Sequence, residues 1–383
     1  MKKFLALILA LVMSLSLVAC GGSKEEAKPA EQPAEQPAEE QGADFSVAMI
    51  TDYGDITDQS FNQTTYEACK AYCEANGVDF NYYKPAGDST AERVAMVEAA
   101  VDDGYTVVVM PGYAFGETIT QVADEYSDIT FIALDVGEGD LGDYTLPSNV
   151  YCAVYQEELC GYMAGYAAVK LGYTHLGFLG GMAVPAVVRY GYGFVQGADA
   201  AATETGADVT MEYVYGNQFW GDADITAYMD NWYQTLGVEV VFACGGGIYA
   251  SAAEAAAKVG GKVIGVDVDQ AAIIDGGYGD GMTVTSAMKG LAPTVEHMLT
   301  EVAAGNFSNY GGKIETLGLV SGDDPAANYV QIPMESTQWS DSFSQDDYKA
   351  LVKDMFDGKI TVSNDISAMP ATSIAVNEYG NIK

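Results

Sequence analysis

The chain has 383 residues and a formal net charge of −37 at pH 7. This length suffices for two domains, because one hydrophobic core seldom serves more than about 300 residues. The acidic balance argues against nucleic-acid binding, since a basic patch is needed to displace counterions from phosphates, and it also disfavours anionic lipid surfaces. We interpret the charge as a source of solubility outside the cell.

The amino-terminal residues have the pattern of an export signal. Lysines precede an apolar stretch at residues 4–18 that is too short for a comfortable membrane span. Small residues then lead to Cys20, and this arrangement resembles a bacterial lipobox. The resemblance implies a lipoprotein signal peptide at residues 1–19 and attachment of lipid to the sulfur of Cys20. An ordinary signal peptide with an incidental cysteine is the alternative.

Residues 20–43 are predicted to be a disordered tether. Residues 24–41 contain only Lys, Glu, Ala, Pro and Gln, so no aromatic or β-branched side chain is available to build a core. A lipid on Cys20 followed by such a segment would hold a folded domain at a membrane surface. With a single lipid site, we expect the protein to be anchored to the membrane and not to span it.

From residue 45 the sequence alternates between short apolar runs and helical periodicity. The first strand, at residues 45–50, leads into a polar loop and then into a helix that begins near Phe61. Further strands are predicted at residues 78–82, 105–110 and 129–134, with a helix between successive strands and a last helix that ends near residue 126. This βαβαβαβ order predicts a parallel, doubly wound half.

A second half of similar size follows. After a strand at 149–154 and a helix at 157–170, the pattern restarts. Strands are predicted at residues 175–179, 209–215, 238–243 and 262–266, and helices at about 184–205, 225–236 and 248–259. The sequence therefore predicts an α/β protein with two parallel-sheet lobes in tandem.

The remaining segments return to both halves. Strands are predicted at residues 283–286, 315–320 and 330–333, and helices at about 293–304 and 346–357. No clear pattern follows residue 367. We assign residues 44–150 with about 284–315 to the first lobe, and 151–283 with about 316–383 to the second. The chain would then cross between the lobes more than once.

Polar and aromatic side chains follow the carboxyl ends of the predicted strands, where parallel α/β sheets bind ligands. They are Asp52, Asp58, Asn62, Tyr113, Phe115 and Asp135 in the first half, and Met182, Asn217, Phe219, Trp220, Asp267, Asp269 and Lys289 in the second. Carboxylates accept paired hydrogen bonds from vicinal hydroxyls or ring N–H groups, and aromatic rings stack on flat rings. This chemistry suits a neutral polyol joined to a planar base and suits a phosphate poorly.

Each candidate could also have a purely structural role. Asp58 could cap the helix that follows it, and Phe61 could belong to the core because it starts the apolar face of that helix. Asn62 could simply occupy the first turn of that helix, and Asp135 and Asp267 could be solvated loop residues. Trp220 could pack in the core, and Lys289 could be a surface charge. The glycines at 245–247 lack the spacing and the lysine of a phosphate loop, so we interpret them as a tight turn.

The sequence offers little support for catalysis, metal binding or a disulfide framework. Neither of the two histidines lies in a predicted pocket loop, and no Gly-x-Ser-x-Gly motif is present, so we expect no catalytic set, metal or cofactor. Five cysteines follow Cys20 at irregular spacing, and an odd count does not define a set of disulfides. Cys69 and Cys73, one helical turn apart, are expected to pack as small hydrophobic residues.

Five motifs occur in order between about residue 45 and about residue 300. They are Ile50-Thr51-Asp52 with Asp58-Gln59-Ser60-Phe61-Asn62-Gln63, Gln156-Glu157-Glu158 with Gly161-Tyr162-Met163-Ala164-Gly165, Gly177-Phe178-Leu179-Gly180-Gly181-Met182 with Pro185 and Arg189, Gly265-Val266-Asp267-Val268-Asp269-Gln270, and Thr285-Ser286-Ala287-Met288-Lys289. Together they resemble the basic membrane protein family of substrate-binding lipoproteins, the PnrA-like purine nucleoside receptors of ABC importers. The resemblance implies a type I periplasmic-binding-protein fold, in which two doubly wound lobes are joined by a hinge of three crossings and enclose a nucleoside.

The resemblance also implies roles for particular side chains. Asp52, Asn62 and Asp135 would meet the base or the ribose from the first lobe, and Asp267 and Lys289 would hold the ribose hydroxyls from the other side. Aromatic residues, here Phe61, Phe115 or Trp220, would sandwich the base. The chain departs from the family pattern after the third strand, after Trp220 and after Lys289, and its residues beyond 311 match poorly.

These observations predict a lipid-anchored, extracytoplasmic substrate-binding protein that captures a nucleoside, with purines favoured, by closing two lobes over it. Its partners would be that ligand, the membrane through the lipid, and an ABC permease; we expect a monomer without enzymatic activity. The competing hypotheses are a sugar or polyol receptor of the same fold, a nucleoside hydrolase, and a module that senses a ligand for a membrane kinase.

Overall fold

The structure is a computed structural model that describes residues 45–383. The predicted signal peptide, the lipid-attachment residue Cys20 and the predicted tether lie outside the described residues. Within residues 45–383, no helix combines the length and the apolar character needed to cross a membrane.

Residues 45–383 form strands and α-helices that alternate along most of the chain. The strands are β1 (Val47–Ile50), β2 (Phe80–Tyr83), β3 (Val107–Pro111), β4 (Thr130–Leu134), β5 (Val150–Tyr155), β6 (His175–Gly180), β7 (Thr210–Tyr215), β8 (Val240–Cys244), β9 (Lys262–Asp267), β10 (Thr283–Lys289), β11 (Lys313–Leu317), β12 (Val330–Gln331) and β13 (Ala375–Asn381). The helices are α1 (Phe61–Asn76), α2 (Thr90–Asp102), α3 (Phe115–Val122), α4 (Glu138–Leu141), α5 (Glu157–Lys170), α6 (Pro185–Thr205), α7 (Ala223–Asn231), α8 (Tyr249–Ala257), α9 (Ala271–Tyr278), α10 (Leu291–Ala303) and α11 (Gln345–Phe356).

Local sequence signals set several of these boundaries. The Ser89 hydroxyl accepts a hydrogen bond from the backbone N–H of Glu92 and so caps α2. Gly77 ends α1 in the left-handed conformation, with φ 66°, which a residue without Cβ adopts at little cost. Pro185 opens α6, where its missing N–H would have had no intrahelical partner. Each of these boundaries depends on a few neighbouring residues.

Two sheets with the same strand order form two lobes. The first sheet has the order β11-β5-β4-β3-β1-β2, and the second has the order β12-β10-β9-β8-β6-β7-β13. All pairings are parallel except the short one between β10 and β12. In each sheet the first strand lies between the second and the third, so the loops after the first and third strands diverge. Such a switch point opens a crevice at the carboxyl edge of a sheet.

The chain crosses between the lobes three times. The first crossing follows β5, the second follows β10, and the third follows β11. The crossing segments are hydrogen-bonded to one another: Gln156 N–H donates to Leu317 O at 2.9 Å, Gly290 N–H to Tyr329 O at 2.7 Å and Tyr329 N–H to Gly318 O at 3.0 Å. The predicted hinge of three crossings is therefore present and forms a small hydrogen-bonded bundle.

Two of the lobe boundaries differ from the sequence assignment. The boundary drawn between residues 150 and 151 cuts through β5, all of which pairs with the first sheet. The boundary drawn between 283 and 284 gives β10 to the first lobe, whereas β10 pairs with β9 in the second sheet. The helix after β10, α10, does pack on α1 of the first lobe. An apolar strand has the same sequence pattern in either sheet. The pattern therefore could not show which sheet the strands after residue 283 join.

Helices α5 and α6 pack with their backbones in close approach. A Cβ on Gly193 would lie 2.1 Å from the carbonyl oxygen of Glu158, and one on Gly161 would lie 2.2 Å from that of Tyr190. Glycines at these positions let the two helices meet along most of their length. The α5–α6 pair joins the hinge to the second lobe, because Glu157 at the start of α5 directly follows the first crossing.

Several elements escaped the sequence analysis. Strand β13 pairs in parallel with β7 at the edge of the second sheet, within the region expected to lack a pattern. Helix α9 packs on α8 and β10, and α4 is a single turn. Strand β13 contains a glycine and polar residues and is largely exposed, so it shows no apolar run. Its pairing with β7 depends on tertiary placement.

Candidate ligand-binding site

A cavity of about 380 Å³ lies between the loops at the carboxyl edges of the two sheets. This volume is in the range of small-molecule sites. Among its lining residues are Asp52, Tyr53, Asp58, Phe61, Asn62, Tyr113 and Asp135 from the first lobe, and Tyr190, Phe219, Trp220, Cys244, Gly245, Gly246, Gly247, Asp267 and Lys289 from the second. Seven of the eight predicted binding residues line this cavity, with Phe115 as the exception.

Lys289, at the end of β10, is the cation at the centre of the site. Its ammonium lies 2.5 Å from Asp135 Oδ2 and 3.7 Å from Asp267 Oδ1, so it contacts a carboxylate from each lobe. A third carboxylate, Glu157 Oε1, lies 3.5 Å away. Its side chain is only 3% exposed, and burial of a charge is tolerated when opposite charges surround it. The coulombic attraction of Asp135, Asp267 and Glu157 outweighs burial and raises the pKa of Lys289.

Aromatic rings surround the same ammonium. Lys289 Nζ lies 4.8 Å from the ring centre of Phe61, 5.5 Å from that of Tyr155 and 5.6 Å from that of Tyr190. Faces of such rings attract cations, which further favours the charged form in this position. The interpretation of Lys289 as a surface charge is therefore wrong.

Asp135 and Asp267 occupy matching positions in the two lobes. Asp135 directly follows β4 and Asp267 ends β9, the fourth strand of each repeating unit. Both have left-handed backbones, with φ 61° and 65°. Residues other than glycine seldom adopt this conformation, and aspartate does so more readily than most. The strained backbones turn both carboxylates towards Lys289, as is common at functional sites.

Asp267 also joins the two lobes directly. The Ser60 hydroxyl of the first lobe donates to Asp267 Oδ2 at 2.6 Å, and the Tyr190 hydroxyl donates to its Oδ1 at 3.4 Å. Burial raises the pKa of Asp267, while Lys289 and the Ser60 hydroxyl act in the opposite direction. A second bridge runs from Gln270 Nε2 to the carbonyl oxygen of Gln59 at 3.1 Å. The lobes are thus held together around the cavity by polar contacts.

The loop after β1 combines structural and cavity-lining side chains. Asp58 accepts hydrogen bonds from the backbone N–H groups of Ser60, Asn62 and Gln63 at 2.9–3.1 Å, so it caps α1. Asp52 accepts from the N–H groups of Tyr53 and Gly54, both at 2.7 Å, which shapes the loop. Burial raises the pKa of Asp52, and these two bonds oppose that rise.

Two oxygen atoms at the site lack a hydrogen-bond donor. Asn62 Oδ1 and Asp135 Oδ1 are buried and unpaired, whereas Asn62 Nδ2 donates to Asp58 at 3.2 Å. A buried acceptor without a partner costs about 1–3 kcal/mol, so it calls for an explanation. Both residues line the cavity. A ligand with N–H or O–H groups could satisfy both oxygens.

Two of the three aromatic residues expected to sandwich a base line the cavity. Phe61 lines the cavity beside Lys289, and Trp220 lines it with 53% of its surface exposed. Phe115 is fully buried in the core of the first lobe with Val108, Ile119 and others, and does not line the cavity. It begins α3, whose apolar side packs on the sheet. The preceding Tyr113, together with Tyr53, lines the cavity instead.

Several site residues were not predicted to bind ligand. Tyr53 and Tyr113 direct their hydroxyls to Met182 Sδ of the second lobe, at 3.5 and 3.9 Å. Glu157 and Arg189 were recognised only as parts of motifs. The sequence carries one signal for Glu157, which opens a helix that is apolar from Leu159 to Val169. A charge on such a helix needs a partner if it is buried, and Glu157 has no exposed surface. Tyr113 was among the candidates at the strand ends, whereas Tyr53 had no comparable signal among the 26 tyrosines in the chain.

Within residues 45–383, no cluster of His, Cys, Asp and Glu has the arrangement of a metal site. The five cysteines of this region are unpaired and buried. Burial raises the pKa of Cys73 to about 11 and that of Cys152 to about 12. Cys69 and Cys73 belong to the apolar core, as expected.

Two parallel-sheet lobes with the same strand order, three crossings and a polar cavity between the lobes define a bilobed substrate-binding protein. Residues 45–353 match the Bmp family, described as ABC transporter substrate-binding protein PnrA-like. The chain belongs to this family, as its motifs predicted. A solute-binding protein of an ABC transporter from Aeropyrum pernix has a similar structure: the TM-score is 0.63 at 22% identity, over 84% of this chain and 88% of that one.

Two curated relatives cover most of both chains. The CD4+ T-cell-stimulating antigen of Listeria monocytogenes is 29% identical over 333 residues, which span 82% of this chain and 87% of the relative. The ABC transporter nucleoside-binding protein BmpA of Lactococcus lactis is 25% identical over 336 residues, which span 83% of this chain and 89% of the relative.

Proposed function

We propose that this substrate-binding protein captures a nucleoside, with purines favoured, and presents it to an ABC permease. The observation on which the proposal rests is the pairing of unsatisfied acceptors, Asn62 Oδ1 and Asp135 Oδ1, with a buried ammonium in one cavity. A nucleoside has hydroxyls and, on most bases, N–H groups to donate to such acceptors. The name of the Lactococcus lactis relative supports the same ligand class.

The two ends of a nucleoside would meet different parts of the cavity. Asp267, Asp135 and Lys289 form a cluster of acceptors and donors suited to the ribose hydroxyls. Asn62 and Asp52 would form hydrogen bonds with the polar edges of the base. Phe61 and Trp220 offer aromatic faces on which a planar base can stack.

Charge favours a nucleoside over a nucleotide. The carboxylates of Asp52, Asp58, Asp135 and Asp267 line the cavity. Lys289 is the buried cation among the described lining residues, and Asp135 and Asp267 already contact it. A phosphate placed here would meet several like charges in a region of low dielectric. Binding of the neutral nucleoside avoids that repulsion.

We also propose that lipid on Cys20 anchors the protein to the outer face of the cell membrane and that the protein acts as a monomer. Closure of the lobes over the ligand would exclude water and strengthen the hydrogen bonds. The closed form would then dock on the permease. Mass spectrometry of the intact membrane-extracted protein tests the anchor: a diacylglyceryl mass on a chain that starts at Cys20 supports it, and an unmodified amino terminus contradicts it.

Isothermal titration calorimetry with ligand-stripped protein tests the ligand. Adenosine, guanosine, cytidine and uridine are titrated, with ribose and glucose as comparisons. Binding of at least one nucleoside is expected, and binding of none would refute the proposal. A preference for a free sugar would favour the polyol receptor, and release of free base during incubation would favour a hydrolase.

Asp267→Ala gives the proposal a residue-level test. Loss of a buried charged acceptor should weaken nucleoside binding by about tenfold or more. Asp269→Ala is the matched control, because Asp269 is an exposed aspartate two positions along the chain that does not line the cavity. Equal affinities of the two variants would remove Asp267 from the binding site.

A further inference from the structure

An ion pair between Glu157 and Arg189 lies behind the cavity, next to Lys289. Glu157 and Arg189 do not line the cavity. Glu157 is the first residue of α5, and its Oε2 accepts from Arg189 Nε of α6 at 2.6 Å. Its other oxygen, Oε1, has no hydrogen-bond partner and lies 3.5 Å from Lys289 Nζ. Glu157 therefore lies between two cations and forms a hydrogen bond with only one of them, Arg189.

We propose that Arg189 is a positioning residue for ligand binding: Arg189 neutralises Glu157, and this leaves the Lys289 ammonium with the cavity aspartates Asp135 and Asp267. The inference rests on the proposed function, in which Lys289 contacts the ligand. It assigns a role in binding to a residue that does not line the cavity.

The geometry gives the physical reason. A charge-assisted N–H···O bond is about 2.7–2.9 Å long, so a shift of Lys289 Nζ by roughly 0.7 Å would form one with Glu157 Oε1. While Arg189 neutralises Glu157, little drives that shift. Without Arg189, a buried carboxylate loses its bonded partner, and Lys289 is the described cation next nearest to it. The ammonium would then move towards the hinge and away from Asp135.

A charge-neutral rescue distinguishes positioning from mere structural support. Arg189→Met should weaken adenosine or guanosine binding by about tenfold or more, and Glu157→Gln/Arg189→Met should recover the affinity to within about threefold of the wild type. Glu157→Gln alone should also stay within about threefold, since a neutral amide does not draw the ammonium. A double variant as weak as Arg189→Met would overturn the proposal.

Two further measurements separate the possible failures. If circular dichroism shows that Arg189→Met does not fold, Glu157→Gln and Arg189→Lys decide. Both must bind within about threefold of the wild type, and a larger loss in either would overturn the proposal. If the wild type binds no nucleoside, the proposed function fails while the positioning role remains testable. The NMR shift of Lys289 Nζ in the free protein should then move in Arg189→Met and return in the double variant, and an unmoved shift would overturn the inference.

Discussion

Replacing Lys289 by methionine tests the central charge cluster. Methionine keeps an unbranched, apolar side chain of similar length among the rings of Phe61, Tyr155 and Tyr190, so the loss of packing should be small. The change removes the ammonium that lies within 3.7 Å of three carboxylates whose side chains are at most 11% exposed. Breaking a buried ion pair by removing one partner costs about 3–5 kcal/mol. We expect the free energy of unfolding to fall by about that amount at neutral pH.

The loss should depend on pH in a definite direction. Lys289 lowers the pKa values of Asp267 and Glu157, and burial raises them. Without Lys289 these folded-state pKa values rise further above the unfolded values. Carboxyl groups of that kind stabilise the fold at low pH, and this contribution is lost as the pH rises through the folded pKa. The difference in unfolding free energy between the wild type and the variant should therefore become smaller as the pH falls from about 8 to about 5.

Urea denaturation at the two pH values measures both effects. Lys258→Met is the control, because Lys258 forms an ion pair of 2.8 Å with Asp230 at the surface, and exposed pairs contribute about 1 kcal/mol or less. Equal losses in the two variants would refute the view that the Lys289 cluster is a buried charge network. A deficit independent of pH would show that the carboxylates do not titrate as described.

Three further variants test the surroundings of the site. Burial raises the pKa of Glu158 to about 7 from 4.5, so Glu158→Gln should stabilise the protein by about 2–3 kcal/mol at alkaline pH and by little at about pH 5; equal gains at both would contradict this. Gly193→Ala should lower the unfolding free energy by about 1–3 kcal/mol because its Cβ would meet the Glu158 carbonyl, whereas Gly276→Ala, with open space, should not. Trp220→Ala should weaken nucleoside binding about three- to tenfold by the loss of stacking, with Trp339→Phe, outside the cavity, as the unaffected control.

Seven of the eight predicted binding residues line the cavity because they end strands or lie in the loops and helix starts that follow strands. The position of a strand end can be predicted from an apolar run of a few residues. Phe115 shows where such a prediction fails. Phe115 also follows a strand, β3, but the loop is short and Phe115 is the first residue of α3. Its ring is therefore buried in the core. Tyr113, two residues earlier, takes the place in the cavity. A shift of two residues at a helix start lies below what sequence periodicity resolves.

The sequence by itself determined the features that depend on neighbouring residues: the alternation of strands and helices, the caps at Gly77 and Ser89, and the motifs that define the family. The tertiary structure decided which residues meet across long separations. Lys289 and Asp135 are 154 positions apart, and only the pairing of β10 with the second sheet brings them within 2.5 Å. The same folding buries Glu157 against Arg189. The partners of a buried charge therefore had to come from the structure, because a charge on its own does not show which distant group will neutralise it.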